Sequence, residues 1–250
     1  MHKIKLAVFN MTGTCVDDKK GLPSSFAQAC EATGLEVPLA RLASMHELPQ
    51  KEAFRMLWEE KLGKKNSDLE DYVDFSYQTF CEILENYYQE LAVRPTMYCC
   101  ETFDTLTKNN IKIALTTHIY RKAANIILKK LGWLQGLNED FVNIGGPSPI
   151  HVSVTPSEVE NGHSASAMIF RAMQLLSVES AAETLKIGDT PNDLQAGKEA
   201  GCGMVLAVGH GTYSEEQLAI YPNMGILKHL GELPAILGLE KSAKPYYFTF

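Results

Sequence analysis

A chain of 250 residues is long enough for one large domain, or for a core domain that carries a smaller insert. Its formal net charge of −7, from 23 basic and 30 acidic residues, argues against nucleic acid and anionic membranes as partners. The sequence has no membrane-length apolar segment, and its first apolar run is too short for a signal peptide. We therefore expect a cytoplasmic protein with reduced, buried cysteines, since none of the six forms a CxxC pair or a zinc-ligand spacing.

Five short apolar segments are typical of strands that are buried on both faces of a parallel sheet. They are IKLAVF (4–9), IKIALTT (111–117), FVNIGG (141–146), ETLKIGD (183–189) and MVLAVG (204–209). Helical periodicity separates the later four, in residues 121–132, 166–176 and 192–201. Alternating strands and helices favour right-handed crossovers, so we predict an α/β fold with a doubly wound parallel sheet.

An insert without strand pattern lies between the first two predicted strands. Amphipathic helical periodicity occurs there in residues 24–34, 50–63 and 69–92. We therefore predict an α/β core of residues 1–16 and 97–250, with a helical cap of residues 17–96 inserted after the first strand. The aromatic C-terminal tail, residues 240–250, is explained either by packing on the core or by a subunit contact, which leaves a homodimer open.

Polar side chains follow three of the predicted strands at their carboxyl ends, where doubly wound sheets bind ligands. They are Asn10, Thr12, Gly13 and Thr14 after the first strand, Thr117 and His118 after the second, and Asp189 and Asp193 after the fourth, with His163 in a loop before a helix. Phosphoryl transfer requires such a set, because hydroxyls and N–H groups hold the phosphate, a basic residue offsets its charge and carboxylates hold Mg²⁺.

Four motifs at these positions resemble, in order and in residues, those of the haloacid dehalogenase (HAD) superfamily, in its phosphonatase-like branch. They are VFNMTGTCVDD, IALTT, VTPSEVENGHSASAMIFRAM and IGDTPNDLQAGKEAG. The resemblance covers essentially the whole chain and implies a HAD-like core, a helical cap and a small-molecule ligand. It also implies that Gly13 and Thr14 in the core, and His46 and Lys51 in the cap, contact that ligand.

The sequence departs from the superfamily pattern at the positions that carry its chemistry. The superfamily's nucleophile is an aspartate, where this chain has Asn10, and Thr12 stands where many members have an acid/base aspartate. His163 replaces the third-motif Lys or Arg, and Gln50 replaces the Schiff-base lysine of phosphonoacetaldehyde hydrolases, with Lys51 one residue away. An amide is a far weaker nucleophile than a carboxylate and removes a negative charge from a Mg²⁺ site. Hydrolysis through an aspartyl-phosphate is therefore not expected.

Structural interpretations compete with the functional ones. Thr190 and Asp193 fit the N-cap and N3 positions of a helix that begins at Pro191, so the two aspartates are either weakened Mg²⁺ ligands or structural residues. We predict no resident cofactor, with Mg²⁺ possible only at this weakened site. Thr117 either holds an anion or satisfies backbone groups, and His163 either supplies charge or acid/base chemistry or faces solvent.

Three functions from different classes remain open at this point. In the first, the cleft between cap and core catalyses non-phosphoryl chemistry on a small organic metabolite (isomerase, lyase or cyclase type), with His118 or His163 as the acid/base group. Alternatively, the chain is a non-catalytic binding or regulatory protein. The third function is a weak Mg²⁺-dependent hydrolase. The first is the one that the combined departures favour.

Overall fold

A computed structural model of the chain shows two compact units, Met1–Asp18 with Val93–Phe250 (the core unit) and Lys19–Ala92 (the insert unit). The structure describes residues 3–18, 21–45, 48–90, 92–159 and 164–239. The strands are β1 (Leu6–Asn10), β2 (Val16–Asp17), β3 (Arg94–Pro95), β4 (Lys112–Thr116), β5 (Val152–Val154), β6 (Thr184–Gly188), β7 (Met204–Val208) and β8 (Ile226–Leu227). The helices are α1 (Gly21–Ala32), α2 (Leu39–Met45), α3 (Gln50–Leu62), α4 (Leu69–Glu90), α5 (Cys99–Lys108), α6 (Arg121–Lys130), α7 (Ala165–Leu175), α8 (Pro191–Glu199), α9 (Glu215–Leu218) and α10 (Leu233–Ile236).

The core unit is built on a six-stranded parallel sheet in the order β5-β4-β1-β6-β7-β8. After β1 the chain adds β4 and β5 on one side and then β6, β7 and β8 on the other, so the strand order reverses beside β1. This arrangement confirms the predicted doubly wound α/β fold. It also puts the carboxyl end of β1 at the point where such sheets bind ligands.

Alternate residues of β1 pack on opposite faces of the sheet, as a strand buried on both sides requires. Leu6 and Val8 join an apolar cluster that includes residues of α7 and α8. On the other face, the ring of Phe9 meets that of Phe103 in α5 at a centroid distance of 5.1 Å in an edge-on contact. The paired burial of both faces fixes β1, and with it the position of Asn10 at the strand end.

The third predicted strand, residues 141–146, is wrong, because the sheet takes Val152–Val154 instead. Asn143 makes the earlier segment a loop: its Oδ1 accepts the N–H groups of Gly145 and Gly146 at 3.0 and 2.8 Å, and its Nδ2 donates to Ile150 O at 3.1 Å. Phe141 also has a left-handed backbone, with φ of 58°. These local bonds hold the backbone groups that a sheet strand would present to its neighbours.

The insert unit consists of α1 to α4 and has an aromatic core of its own. Phe26, Phe54 and Phe80 are buried, and their ring centroids lie 4.5 to 6.2 Å apart. Trp58 of α3 is also buried, and it donates its Nε1–H to Ser76 Oγ at 2.9 Å. The apolar stripe of α4 predicted from its periodicity therefore packs inside this unit.

The structure also bears on the cysteines and on membrane-spanning segments. None of the six cysteines forms a disulfide; Cys15, Cys30 and Cys99 are buried, and the other three are partly exposed. Burial raises the pKa of the Cys202 thiol to about 11, which favours its protonated form. Among the described residues, no helix combines the length and the hydropathy needed to cross a membrane.

Candidate functional site

Asp189, directly after β6, is the centre of a hydrogen-bond network at the carboxyl edge of the sheet. Its side chain is fully buried. Its Oδ1 accepts hydrogen bonds from Asn10 Nδ2 at 2.8 Å and from Thr14 Oγ1 at 2.9 Å. Its Oδ2 accepts the backbone N–H of Thr212, which follows β7, at 2.8 Å. One carboxylate thus connects the loops that follow β1, β6 and β7.

Asn10 takes part in this network as a hydrogen-bond donor. Its Nδ2 donates to the carbonyl oxygen of Thr12 at 2.9 Å as well as to Asp189. Both partners are acceptors only, so the amide nitrogen, and not the amide oxygen, must face Asp189. The residue at the superfamily's nucleophile position is therefore held in place as a donor to the neighbouring carboxylate.

Two glycines enclose the Asp189 carboxylate. Gly13 has φ of +80°, and a Cβ on it would lie 2.2 Å from Asp189 Oδ2. A Cβ on Gly211 would lie 2.3 Å from Asp189 Cβ. No side chain can be added at either position without displacing Asp189, so both glycines are explained by the close approach of backbone to this carboxylate.

Burial and charge act together on the Asp189 carboxyl. Removal from water raises its pKa above the ordinary value, and the nearby charge of Asp193 raises it further. The hydrogen bonds from Thr212 and Asn10 oppose this shift without reversing it. The donors around Asp189 therefore compensate part of the cost of burying a carboxylate.

Asp193 is held by a different set of partners, in the first turn of α8. Its Oδ1 forms an ion pair with Lys186 Nζ at 2.7 Å, and its Oδ2 accepts from Thr190 N and Thr190 Oγ1 at 3.2 and 2.8 Å. Thr190 Oγ1 in turn caps the helix by accepting the Asp193 N–H, which completes the capping box expected from TPND. Lys186 also donates to Thr116 Oγ1 at 3.2 Å and is buried in β6.

The carboxylates of Asp189 and Asp193 do not fit a Mg²⁺ site in this arrangement. All of their oxygens face donors, which are the Asn10 amide, the Thr14 and Thr190 hydroxyls, two backbone N–H groups and the Lys186 ammonium. Mg²⁺ requires oxygen ligands in near-octahedral geometry, and an amide N–H or an ammonium cannot coordinate it. Across the part of the chain that the structure describes, no three His, Cys, Asp or Glu side chains are grouped to hold a metal ion.

The end of β4 contributes Thr117 and His118. Thr117 is buried, and its Oγ1 accepts the backbone N–H of Ile119 at 3.2 Å. The hydroxyl therefore provides the hydrogen-bond acceptor for a backbone N–H of the loop after β4. His118 Nε2 lies 3.1 Å from Asn192 Nδ2, one residue before Asp193. An amide nitrogen donates only, so this pair corresponds to the imidazole tautomer in which Nε2 is the acceptor.

The remaining predicted residues have other local partners. Thr12 is partly buried, and its backbone bridges to Val16 within the loop after β1. Lys51 in the insert unit pairs with Asp74 at 2.6 Å, and Gln50 Nε2 donates to Leu48 O at 3.4 Å. His46 and His163 fall outside the described residues.

Two parts of the site were not predicted from the sequence, Lys186 and the loop of residues 209–212. In that loop, His210 Nε2 lies 3.1 Å from Thr14 O, and Thr212 donates to Asp189. Signals for both were present: a lysine inside the otherwise apolar segment ETLKIGD, and the polar residues that directly follow MVLAVG. A polar residue after any strand of the predicted parallel sheet belongs to the same edge.

The core unit is a doubly wound parallel sheet with an aspartate-centred network at its carboxyl edge, and a helical insert follows its first strand. These features define the class of α/β proteins that bind ligands at a topological switch point. Residues 4–201 match the family described as haloacid dehalogenase-like hydrolase, and the chain belongs to this family.

Curated relatives in this family include phosphonoacetaldehyde hydrolases. The chain is 29% identical over 217 residues to the bifunctional phosphonoacetaldehyde hydrolase/aminoethylphosphonate transaminase of Clostridioides difficile, with 83% of this chain and 32% of that protein matched. The chain therefore spans about a third of that relative's length. It is 27% identical over 232 residues to the phosphonoacetaldehyde hydrolase of Parabacteroides distasonis, with 86% of this chain and 79% of the relative matched.

Solved structures of the same fold cover nearly all of the chain. A phosphonoacetaldehyde hydrolase-like protein from Oleispira antarctica has a TM-score of 0.71 at 15% identity, covering 95% of this chain and 92% of that one. A hydrolase from Pseudomonas syringae has a TM-score of 0.73 at 17% identity, covering 95% and 98%. At these identities the similarity shows the fold alone.

Proposed function

We propose that this HAD-family chain does not hydrolyse phosphate esters or phosphonates through an aspartyl-phosphate. Instead, its site at the carboxyl edge of the sheet acts on a small organic metabolite without phosphoryl transfer. The observation that carries the proposal is Asn10, whose amide nitrogen donates to Asp189 and to Thr12 O. A nucleophile for phosphorus must present a free oxygen lone pair, and this side chain is held with its donor group on the neighbouring carboxylate.

His118 supports chemistry that needs only proton movement. Its Nε2 lies 3.1 Å from Asn192 Nδ2, and an imidazole nitrogen that accepts there can take up a proton from a substrate that displaces the amide. An isomerisation or a cyclisation moves protons within the substrate, and an elimination removes a proton and a leaving group. Each of these can be served by one base, a set of fixed hydrogen-bond donors and a substrate held in a reactive conformation.

A non-catalytic binding protein is the second candidate, and the saturation of Asp189 favours it. Each oxygen of this carboxylate already has a donor, so the network is complete without a substrate. A completed polar network stabilises a fold without any need for chemistry. The third candidate, a weak Mg²⁺-dependent hydrolase, draws support from the description of the matching family and from the names of the relatives.

The proposal is tested by separating binding from turnover. Purified chain is incubated with phosphonoacetaldehyde and p-nitrophenyl phosphate, with and without Mg²⁺, and released phosphate is measured. Metabolite pools are then screened by thermal shift, and the stabilising compounds are followed by NMR and mass spectrometry. We expect no phosphate release above a blank, and conversion of a stabilising compound to a product of equal mass or of mass reduced by a small leaving group.

Variants of two histidines identify the source of activity. His118→Gln should lower turnover by about 10²- to 10⁴-fold while the thermal shift by the ligand persists, since this is the typical contribution of general acid/base catalysis. His229→Gln, on a histidine whose ring packs against Tyr98, is the matched control and should leave turnover unchanged. Mg²⁺-dependent phosphate release that is lost in Asn10→Ala would overturn the proposal. Ligand binding without turnover would leave the binding protein as the function.

A further inference from the structure

We infer that the Asn10 amide and the buried Lys186 ammonium occupy the role of a divalent cation at this site, so that the chain does not bind Mg²⁺ there. This inference concerns the two carboxylates of the site and is independent of the reaction proposed above. It rests on which atoms face those carboxylates, namely donors within 2.7 to 3.2 Å of every carboxylate oxygen.

The balance of charge at the site supports this inference. Asp189 and Asp193 are both buried, and the nearby charge of Asp193 raises the cost of ionising Asp189. An aspartate at position 10 would place a third carboxyl within hydrogen-bond distance of Asp189, whereas Asn10 brings a neutral donor. The Lys186 ammonium, paired with Asp193 at 2.7 Å, supplies positive charge on the other side. The two carboxylates and the Lys186 ammonium together carry one net negative charge. A bound cation would therefore have less negative charge to neutralise than at a site with three carboxylates.

Lys186 is built into the core and is not a surface lysine that has folded inward. Its side chain is 2% exposed, and its Nζ contacts both Asp193 and Thr116 Oγ1. The adjacent helix makes room for it at Gly197, where a Cβ would lie 2.9 Å from Lys186 Cβ. Such a buried ammonium costs free energy unless acceptors compensate it, which explains its position between a carboxylate and a hydroxyl.

Metal binding is tested directly on the full chain with Mn²⁺ as the probe. We expect the EPR signal of free Mn²⁺ to be unchanged by the protein, and Tm to be the same in EDTA and in 10 mM Mg²⁺. A site with a dissociation constant of about 0.1 mM would raise Tm by roughly 5–10 °C under these conditions. Loss of the free Mn²⁺ signal with a Tm increase of this size in the wild-type chain would overturn the inference.

Asn10→Asp restores the carboxyl that a cation would require. We expect its Tm to fall in EDTA, because two carboxylates then face each other at the distance of the present hydrogen bond, and to recover in Mg²⁺. Asn10→Ala is the matched control: it removes the donor without adding charge, so its Tm should fall and should not recover. Equal responses of the two variants to Mg²⁺ would contradict the role assigned to the amide.

Lys186→Met tests the internal cation and remains informative if Asn10→Asp fails to fold. We expect a lower Tm than wild type, partly recovered in the Lys186→Met/Asp193→Asn double variant, because the second change removes the uncompensated charge. A Lys186→Met variant as stable as wild type, or a double variant whose loss equals the sum of the single losses, would overturn the role of Lys186.

Discussion

Asn10 and Thr14 donate to the same oxygen of Asp189, so the stability of the site depends on how two short side chains share one acceptor. Thr14 is fully buried, and its hydroxyl hydrogen has Asp189 Oδ1 as its acceptor. A buried carboxylate that loses a donor is left less compensated for its removal from water. We therefore expect each donor around Asp189 to contribute to the stability of the folded state.

Thr14→Val should lower the free energy of unfolding by about 1–3 kcal/mol, because the shape is retained and the hydrogen bond to a buried charge is lost. The measurement is urea unfolding at neutral pH. Thr79→Val is the control: Thr79 Oγ1 donates to Phe75 O on the exposed surface of α4, and this change should stay within about 0.5 kcal/mol. A Thr14→Val variant as stable as the control would show that the hydroxyl contributes nothing to the network.

Sequence patterns predicted that Asn10, Thr14 and Asp189 lie at one edge of the sheet, but not which atoms they would contact. Asn10, Thr14 and Asp189 were identified because they follow strands of one sheet. The backbone N–H of Thr212 reaches Asp189 only because the loop after β7 lies close to this carboxylate. Glycines at positions 13 and 211 leave room for the carboxylate. Such contacts are long-range in sequence and leave no periodic signal.

Arg121, the first residue of α6, joins that helix to β5 and to the segment that follows it. Its guanidinium donates to Ser153 O at 3.0 Å, pairs with Glu158 at 2.5 Å and lies 3.7 Å from the centroid of the Phe141 ring. Burial works to raise the pKa of Glu158, yet the hydrogen bond and charge of Arg121 outweigh it and lower that pKa below its ordinary value of 4.5. The pair therefore stabilises the fold in its ionised form.

Glu158→Gln should lower the free energy of unfolding by about 1–3 kcal/mol at neutral pH. The folded pKa of Glu158 is depressed, so its contribution is complete above the unfolded value and is lost as pH falls through the folded value. Urea unfolding of wild type and variant at pH 7 and at about pH 3 should show the difference shrinking at the lower pH. Asp104→Asn, at a more exposed helical pair with Lys108, should change stability by less than about 1 kcal/mol.

One predicted strand shows why periodicity alone cannot locate every strand of the sheet. Residues 141–146 and the residues around β5 are both short and apolar, with β-branched side chains, so periodicity cannot choose between them. Asn143 favours a loop at residues 141–146, because its side chain forms hydrogen bonds with Gly145 N, Gly146 N and Ile150 O. The other four predicted strands overlap the observed strands β1, β4, β6 and β7.

The two tryptophans of the chain report on the two units separately. Trp58 is buried in the insert unit, and Trp133 is buried in the core unit against Phe103. Each unit has its own apolar core, so each is expected to respond to substitutions in its own interior.

Phe54→Ala removes a buried ring from the insert unit and should destabilise that unit by about 3–5 kcal/mol. In a Trp133→Phe background, the fluorescence of Trp58 should then report unfolding at lower urea, whereas in a Trp58→Phe background the Trp133 signal should shift much less. Phe103→Ala, in the core unit, is the reciprocal control. Equal shifts of both signals in both variants would instead show one cooperative folding unit.

The hydrogen bond between Asn10 and Asp189 also constrains how the chain can change over generations. A single codon change that returned an aspartate to position 10 would meet a buried carboxylate already enclosed by Gly13 and Gly211. Without a bound cation, the two carboxyls would then repel each other at the distance of the present hydrogen bond. The effect of an aspartate at position 10 therefore depends on the residues around Asp189, so substitutions at these positions are expected to be non-additive.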